Sequence, residues 1–432
     1  MARLTSFLIA LFLICCFVSP AYAGFSLGDQ GPQINGFAEF SFGGKLGTDS
    51  TKKDGFNMLE QRIQLKTSLY PGFNEFLKDS MAELSFKGDF VIDEYYDGKT
   101  SLYLRELSLV LSPSDWIDLR VGRQVFTWGT GDYIFINDLF PKDYVSFFIG
   151  RDNEYLKKPS DGVKMSLYSK KFNFDFIVLP LFESNTFSSG DRLSFFDSFR
   201  SGIASRDSER QITEPDRQVK TAEYACRFYR SFGSFETALY AFRGFYKMPR
   251  GYLNEFNREL FYPRLDAYGA SIRGPFLGGI ANFESGYYNS RQDSKGDNRL
   301  IENSSLKYLA GYSRDLGNDL TIGMQYLCEQ TFDYDNYRKA LISRDFSWDK
   351  YRHLTTLRLG KLFKNQTVRA DFFVFYSPSD KDGYMRPSVA YDINDRFKIT
   401  LGANIPWGED VYTEFGQMKK NKNIFIRARY SF

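Results

Sequence analysis

Polar and apolar residues take turns along most of this chain. In MLEQRIQLKTSLY, residues 58–70, Leu59, Ile63, Leu65 and Leu69 share one parity while Glu60, Arg62, Gln64 and Lys66 share the other. A period of two belongs to a β-strand, whose successive side chains point to opposite faces. AELSFKGDFVI repeats the pattern, with Ala82, Leu84, Phe86, Phe90 and Ile92 set against Glu83, Ser85, Lys87 and Asp89. Read this way, the chain predicts strands near 34–43, 56–70, 80–92, 101–112, 115–123, 161–170, 171–180, 217–231 and 233–246. Further strands are expected near 263–274, 275–289, 303–315, 318–331, 350–362, 365–377, 384–394, 395–405 and 422–432. The total is about 18, within a range of roughly 16 to 18, and an even number lets an antiparallel sheet close on itself.

The connections carry as much information as the strands. Short ones with turn chemistry fall at Pro113-Ser114, around Lys171, and at Phe232-Gly233, Gly274-Pro275, Gly317-Asn318, Lys364-Asn365 and Asn394-Asp395. Long ones cover 44–55, 124–160, 181–216, 247–262, 290–302, 332–349 and 406–421. Alternation of this kind predicts an all-β transmembrane antiparallel barrel with long extracellular loops and short periplasmic turns; a soluble sandwich has no reason to keep it. In hydrocarbon no sheet edge can stay open. The last segment, NKNIFIRARYSF, must therefore close on residues 34–43, with Ile424, Ile426, Ala428, Tyr430 and Phe432 toward lipid and Arg427 and Arg429 toward the lumen.

Composition agrees. Tyr 29 and Phe 44 supply most of an 18% aromatic content, yet mean hydropathy is -0.39, as expected where only alternate residues meet lipid. Residues 1–23 have the form of a secretory signal peptide: Arg3, an apolar run from Phe7 to Val18, and Ala21-Tyr22-Ala23 before the cleavage point. Cys15 and Cys16 leave with it, and residues 24–432 form a single barrel domain. Cys226 and Cys328 are too few for a disulfide framework. Lys+Arg 56 against Asp+Glu 53 gives no electrostatic case for a nucleic-acid partner.

Candidate chemistry is sparse. Trp128-Gly129-Thr130-Gly131 lacks the Lys-Ser/Thr of a phosphate loop, and DSKGDNRLIE, 293–302, lacks EF-hand spacing, so neither cofactor nor metal is expected. The single histidine, His353, shares the lipid-facing parity with Thr355 and suits a headgroup-level side chain better than a catalytic base. No enzyme activity is expected.

Two stretches resemble known families. The terminal alternation ending in Tyr430-x-Phe432 resembles the assembly signal of Gram-negative outer-membrane proteins, which implies the barrel-insertion machinery as a partner and the bacterial outer membrane, with its lipids and lipopolysaccharide, as the location. Residues 104–148 resemble a segment of outer-membrane porins related to alginate-export barrels and to an uncharacterised proteobacterial porin-like family. The matching residues are Leu104, Arg105, Glu106, Leu119, Val121, Gly122, Arg123, Gln124, Trp128, Gly129, Asp138, Pro141 and Asp143. The resemblance implies a passive channel or exporter and names no solute.

Within 124–160, Asp132, Asp138, Lys142 and Asp143 are interleaved with Tyr133, Phe135, Phe140 and Tyr144. A loop this long and mixed is expected to fold into the lumen and narrow it, with Arg123 and Gln124 anchoring its start and Trp128 following. The inward parity carries basic and acidic residues in similar number, but closure gathers Arg62, Lys66, Arg358, Arg369, Arg386, Lys398, Arg427 and Arg429 into one arc. Such arcs favour anions. The chain therefore reads as a porin-type channel for small hydrophilic, anionic solutes. Alternatives are an export conduit for an anionic polysaccharide, a transporter of hydrophobic compounds, a sheath around an electron-transfer protein and, less well supported, a lipid hydrolase. No motif decides between a monomer and a homo-oligomer.

Overall fold

The computed structural model describes residues 25–26, 33–47, 51–70, 81–199, 201–206, 210–216, 218–254, 259–343 and 345–432; the expected signal segment, 1–23, lies outside them. Eighteen antiparallel strands close into one barrel. They are β1 Gln33–Lys45, β2 Phe56–Leu69, β3 Met81–Asp93, β4 Lys99–Ser114, β5 Ile117–Gln124 and β6 Ser160–Tyr168. Next come β7 Asn173–Leu179, β8 Glu223–Phe232, β9 Phe235–Phe245, β10 Arg264–Phe276, β11 Gly279–Ser290 and β12 Ser305–Asp315. The series ends with β13 Leu320–Thr331, β14 Tyr351–Phe363, β15 Val368–Ser377, β16 Asp382–Asp392, β17 Phe397–Gly408 and β18 Asn423–Ser431.

Each strand pairs with its sequence neighbour, and β18 pairs with β1 from Phe37↔Ser431 to Lys45↔Asn423. Phe432 is held too: its N–H donates to the Gly36 carbonyl at 3.0 Å and its carbonyl accepts from Gly36 N–H at 2.9 Å. Parity works as the sequence predicts. On β1, Phe37, Glu39 and Ser41 are buried inward, while Phe42 on the other parity is exposed. Exposed aromatic side chains form two outward belts. Tyr224, Tyr268, Tyr287, Tyr308, Tyr326, Tyr351 and Tyr376 mark the end carrying the long loops, and Trp116, Phe232, Phe235, Phe276, Phe363 and Tyr391 mark the opposite, turn end. Paired aromatic belts flanking an apolar band are the signature of a strand barrel in a bilayer.

The alternation of long and short connections is not strict. At the loop end, β3–β4 and β15–β16 are joined by 94–98 and 378–381 alone. The first is short because the Asp93 carboxylate accepts from Tyr95 N–H and caps a single 3-10 turn, which Asp97 and Gly98 then leave with positive φ. Two turns also sit further along than expected. Pro113 and Ser114 remain in β4, and Gly274 and Pro275 remain in β10, the latter turn falling on Leu277 (φ 46) and Gly278 (φ 75). Two central residues with positive φ give a hairpin turn of the hand that matches strand twist, whereas Pro275 cannot take positive φ. Of the strand expected over 217–231, residue 217 lies outside the described residues, and 218–222 precede β8 and hold a 3-10 turn at Val219–Thr221.

The apolar core is inside the cylinder. Phe126, Trp128, Ile136, Phe140 and Phe147 from the β5–β6 loop pack against Tyr240, Phe242, Leu309, Phe373, Phe375 and Tyr384 from the inner wall. A second cluster joins Met58 and Phe425 of the wall to Ile149 of the same loop, Leu193 of the β7–β8 loop and Met418 of the β17–β18 loop.

Candidate functional site

The β5–β6 loop, residues 125–159, therefore lies within the barrel, and its local structure explains how it is held there. Asp143 starts a short helix, α1 Tyr144–Ile149, with its carboxylate accepting from Ser146 N–H at 2.9 Å and from Ser146 Oγ at 2.6 Å. Gly150 ends the helix at φ 91, facing Phe425 so closely that a Cβ would come within 2.3 Å of the ring. Only glycine meets both demands there. Asp138 and Lys142 form an ion pair at 2.8 Å, almost wholly buried, with Thr127 Oγ1 donating to the second Asp138 oxygen at 2.7 Å. Burial lowers the Lys142 ammonium below its ordinary range, and the Asp138 charge opposes that shift.

Polar anchors join the loop to the wall on several sides. Toward β11, Glu284 accepts from Thr130 N–H and Asn137 N–H, each at 2.8 Å. Toward β13 and β14, Gln325 Oε1 accepts from Asp132 N–H at 3.1 Å and Arg358 Nη1 donates to Asp132 at 3.0 Å. Toward β18 and β1, Arg427 and Arg429 donate to Asp152 at 2.9 and 3.2 Å, and Arg429 Nε also reaches Glu39 at 2.8 Å. Burial would raise the Asp152 carboxyl, but Arg427 and Arg429 outweigh it and hold the group below the usual carboxylate range. Toward β2, Glu60 accepts from Arg151 Nε at 2.9 Å and from Arg192 Nη1 of the β7–β8 loop at 2.7 Å. The guanidinium groups of Arg62 and Arg105 both lie over the Tyr155 ring, 4.2 and 4.6 Å from its centre. Arg105 reaches the ring because it is the extra residue of a bulge in β4, opposite Lys87/Gly88.

The expected arc residues all face inward, and most are engaged. Arg62 bonds Asp89 at 2.6 Å, Arg386 bonds Asn153 at 3.1 Å and lies 4.0 Å over the Phe147 ring, and Lys398 pairs with Asp392 at 3.2 Å. Among the described residues, Lys66 and Arg369 have no side-chain partner. Gln124 is buried and inward. Arg123, expected with Gln124 to anchor the start of the loop, has the outward parity of Val121 and bonds Asp161, its register partner on β6, at 2.9 Å and the Leu104 carbonyl at 2.9 Å. His353 bonds Tyr326 Oη at 2.7 Å, while the Thr355 hydroxyl donates to the Tyr376 carbonyl, so the two do not meet. Asp293 accepts from Asp297 and Asn298 N–H, which makes it a turn residue. The inward parity already assigns Glu60 and Glu284 to the lumen wall; Arg151, Asp152 and Arg192, which lie in loops without a period, carry no such signal.

In fold, the barrel is similar to solved bacterial porins. It matches OccK5 (OpdH) of Pseudomonas aeruginosa with a TM-score of 0.54 and 10% identity over 95% of this chain and 99% of that one. OccAB1 of Acinetobacter baumannii gives 0.52 and 10% over 96% and 99%. No family model matches the sequence, and no curated protein matches it. The porin likeness is one of fold.

Proposed function

We propose that the protein is an outer-membrane channel of porin type, through which small hydrophilic solutes diffuse past a lumen narrowed by residues 125–159. The carrying observation is a closed barrel whose inner face carries both charged and aromatic side chains and whose centre holds a loop fixed to the wall by ion pairs and apolar packing. Its neighbours by fold are porins, and the aromatic belts fit insertion with the loops outward. A water-facing part of the wall lies beside the loop tip, where Asp132 and Arg358 are 52% and 49% exposed; Arg369, on the next strand, has no side-chain partner among the described residues. With Lys66, this gives the solute path a mild positive bias and a preference for anions. The terminal strand with Tyr430 and Phe432 is the segment the assembly machinery would read. Passive diffusion makes it a channel and not an enzyme.

An export conduit for an anionic polysaccharide rests on the motif in 104–148. In this fold Arg105, Trp128, Asp138 and Asp143 of that motif brace the loop, which any loop-narrowed barrel needs. Planar-bilayer recording tests the proposal: the purified barrel should give discrete current steps, and deletion of 130–158 should enlarge them. Steps of unchanged size would remove the narrowing role, and no steps from either protein would remove the channel.

A further inference from the structure

The outward wall at the loop end of β9, β10 and β11 carries a charge pattern that permeation does not use. On β10, Leu265, Ala267 and Ser271 are buried inward, so Arg264, Asp266 and Tyr268 face out. Register then stacks outward residues in rows: Leu239 with Ala270, then Tyr268 with Tyr287, then Arg243, Asp266 and Asn289. Above that row Arg291, whose N–H donates to the Arg264 carbonyl at 3.2 Å, stands beside Arg264. From the membrane upward the order is apolar, aromatic, then cationic.

The cationic rows are poorly neutralised. Arg243 is 62% exposed and its Nε stays 3.7 Å from Asp266, while Arg291 Nε stays 3.5 Å from the other oxygen of the same carboxylate. Neither contact closes as a hydrogen bond, and one Asp266 oxygen accepts none at all. Among the described residues the Arg264 guanidinium has no partner. Three guanidinium charges thus face one carboxylate. A charged group elsewhere at the loop end is built differently: Arg123 and Lys158 are matched by Asp161 and Glu183, with contacts of 2.9 and 3.1 Å, and it neutralises itself.

We infer that Arg243, Arg264 and Arg291 form a site for the phosphate groups of a membrane lipid headgroup. Guanidinium forks match phosphate oxygens in bidentate geometry, and the tyrosine row directly below sets the patch at headgroup height. A lipid fits better than a free ion because the apolar rows beneath would hold its acyl chains. The inference rests on the barrel's insertion with its loops outward.

The test uses the folded, full-length barrel in detergent and native mass spectrometry with bisphosphorylated lipid A as the probe. Removing the phosphates from the lipid should weaken binding by about tenfold or more, and so should the triple variant Arg243→Ala, Arg264→Ala, Arg291→Ala. On the triple variant the phosphates should no longer matter, and Arg123→Ala should bind as wild type does. Millimolar inorganic phosphate should not displace the lipid; displacement would make this an ion site and overturn the proposal, as would equal binding of both lipids or by the triple variant. If the triple variant does not fold, Arg264→Ala, which removes no contact seen in the fold, replaces it under the same criteria. Bilayer current separates the two levels: lost phosphate dependence with normal current overturns the lipid site alone, whereas a wild-type barrel that will not insert overturns the channel as well.

Discussion

Glu60→Gln is the substitution that most directly tests how the loop is held. Glu60 is 2% exposed and joins three parts of the chain: its own strand, Arg151 of the loop inside the barrel, and Arg192 of the β7–β8 loop, which also reaches Asp93. The amide keeps the shape and removes the charge, leaving Arg62, Arg151 and Arg192 buried with too little counter-charge. Removing one partner of a buried ion pair costs about 3–5 kcal/mol; because the amide oxygen still accepts one hydrogen bond, the lower end, about 3 kcal/mol, is expected. The share of that cost borne by Arg151 exists only while the loop is docked, since a released Arg151 is hydrated. The ratio of docked to released loop should therefore fall by at most about a hundredfold. Single-channel recording in planar bilayers would show this as more frequent and longer visits to a higher-conductance level. A second change, Arg192→Met, should recover part of the loss by removing one of the cations left short of counter-charge. If Glu60→Gln folds normally and its current distribution matches wild type, the Glu60 cluster does not control the loop.

Three further outcomes are expected. Because the Asp152 carboxyl is held below its ordinary value of about 3.9, its contribution to docking is complete above about pH 5 and is lost as pH falls through 4 and below; current should rise reversibly on acidification, and Asp152→Asn should show the raised current at pH 7 with a weakened acid response. Lys66→Glu with Arg369→Glu should move the reversal potential in a potassium chloride gradient toward cation preference, and no movement would remove these two side chains from the solute path. Deleting Phe432 removes its two backbone hydrogen bonds to Gly36 and should reduce the heat-modifiable folded form in membranes several-fold; undiminished assembly would show that closure does not depend on it.

Much of the wall was legible because a strand offers only two faces. Parity alone sends Glu60, Arg62 and Gln64 inward and Ile63 and Leu65 outward, and the register of β2 with β1 and β3 agrees. The same rule places Arg123: once Arg120 is inward, a residue three further on is outward. Turn positions were less legible. Gly274-Pro275 has the composition of a turn, but the hairpin needs positive φ at two successive residues, and only the following Leu277-Gly278 supplies it. Partners across the lumen could not be read at all. Arg151 and Arg192 lie 91 and 132 residues from Glu60, in loops without a period, and no local preference connects them.

Pairing changes what the basic arc means. Counted along the sequence, Arg62, Lys66, Arg358, Arg369, Arg386, Lys398, Arg427 and Arg429 look like a selectivity lining opposed by acids elsewhere in the wall. In the fold, Asp132 and Asp152, the carboxylates that meet Arg358 and the pair Arg427 and Arg429, come from the loop itself. Those cations hold the loop across the lumen before they act on any solute, and their field is largely cancelled while it stays docked. Release of the loop would remove two carboxylates from the arc and expose three guanidinium groups to the path. Opening and anion preference are therefore coupled: any condition that frees the loop, whether acid or Glu60→Gln, should raise conductance and shift selectivity toward anions together, and a wider current step without that shift would separate the two roles.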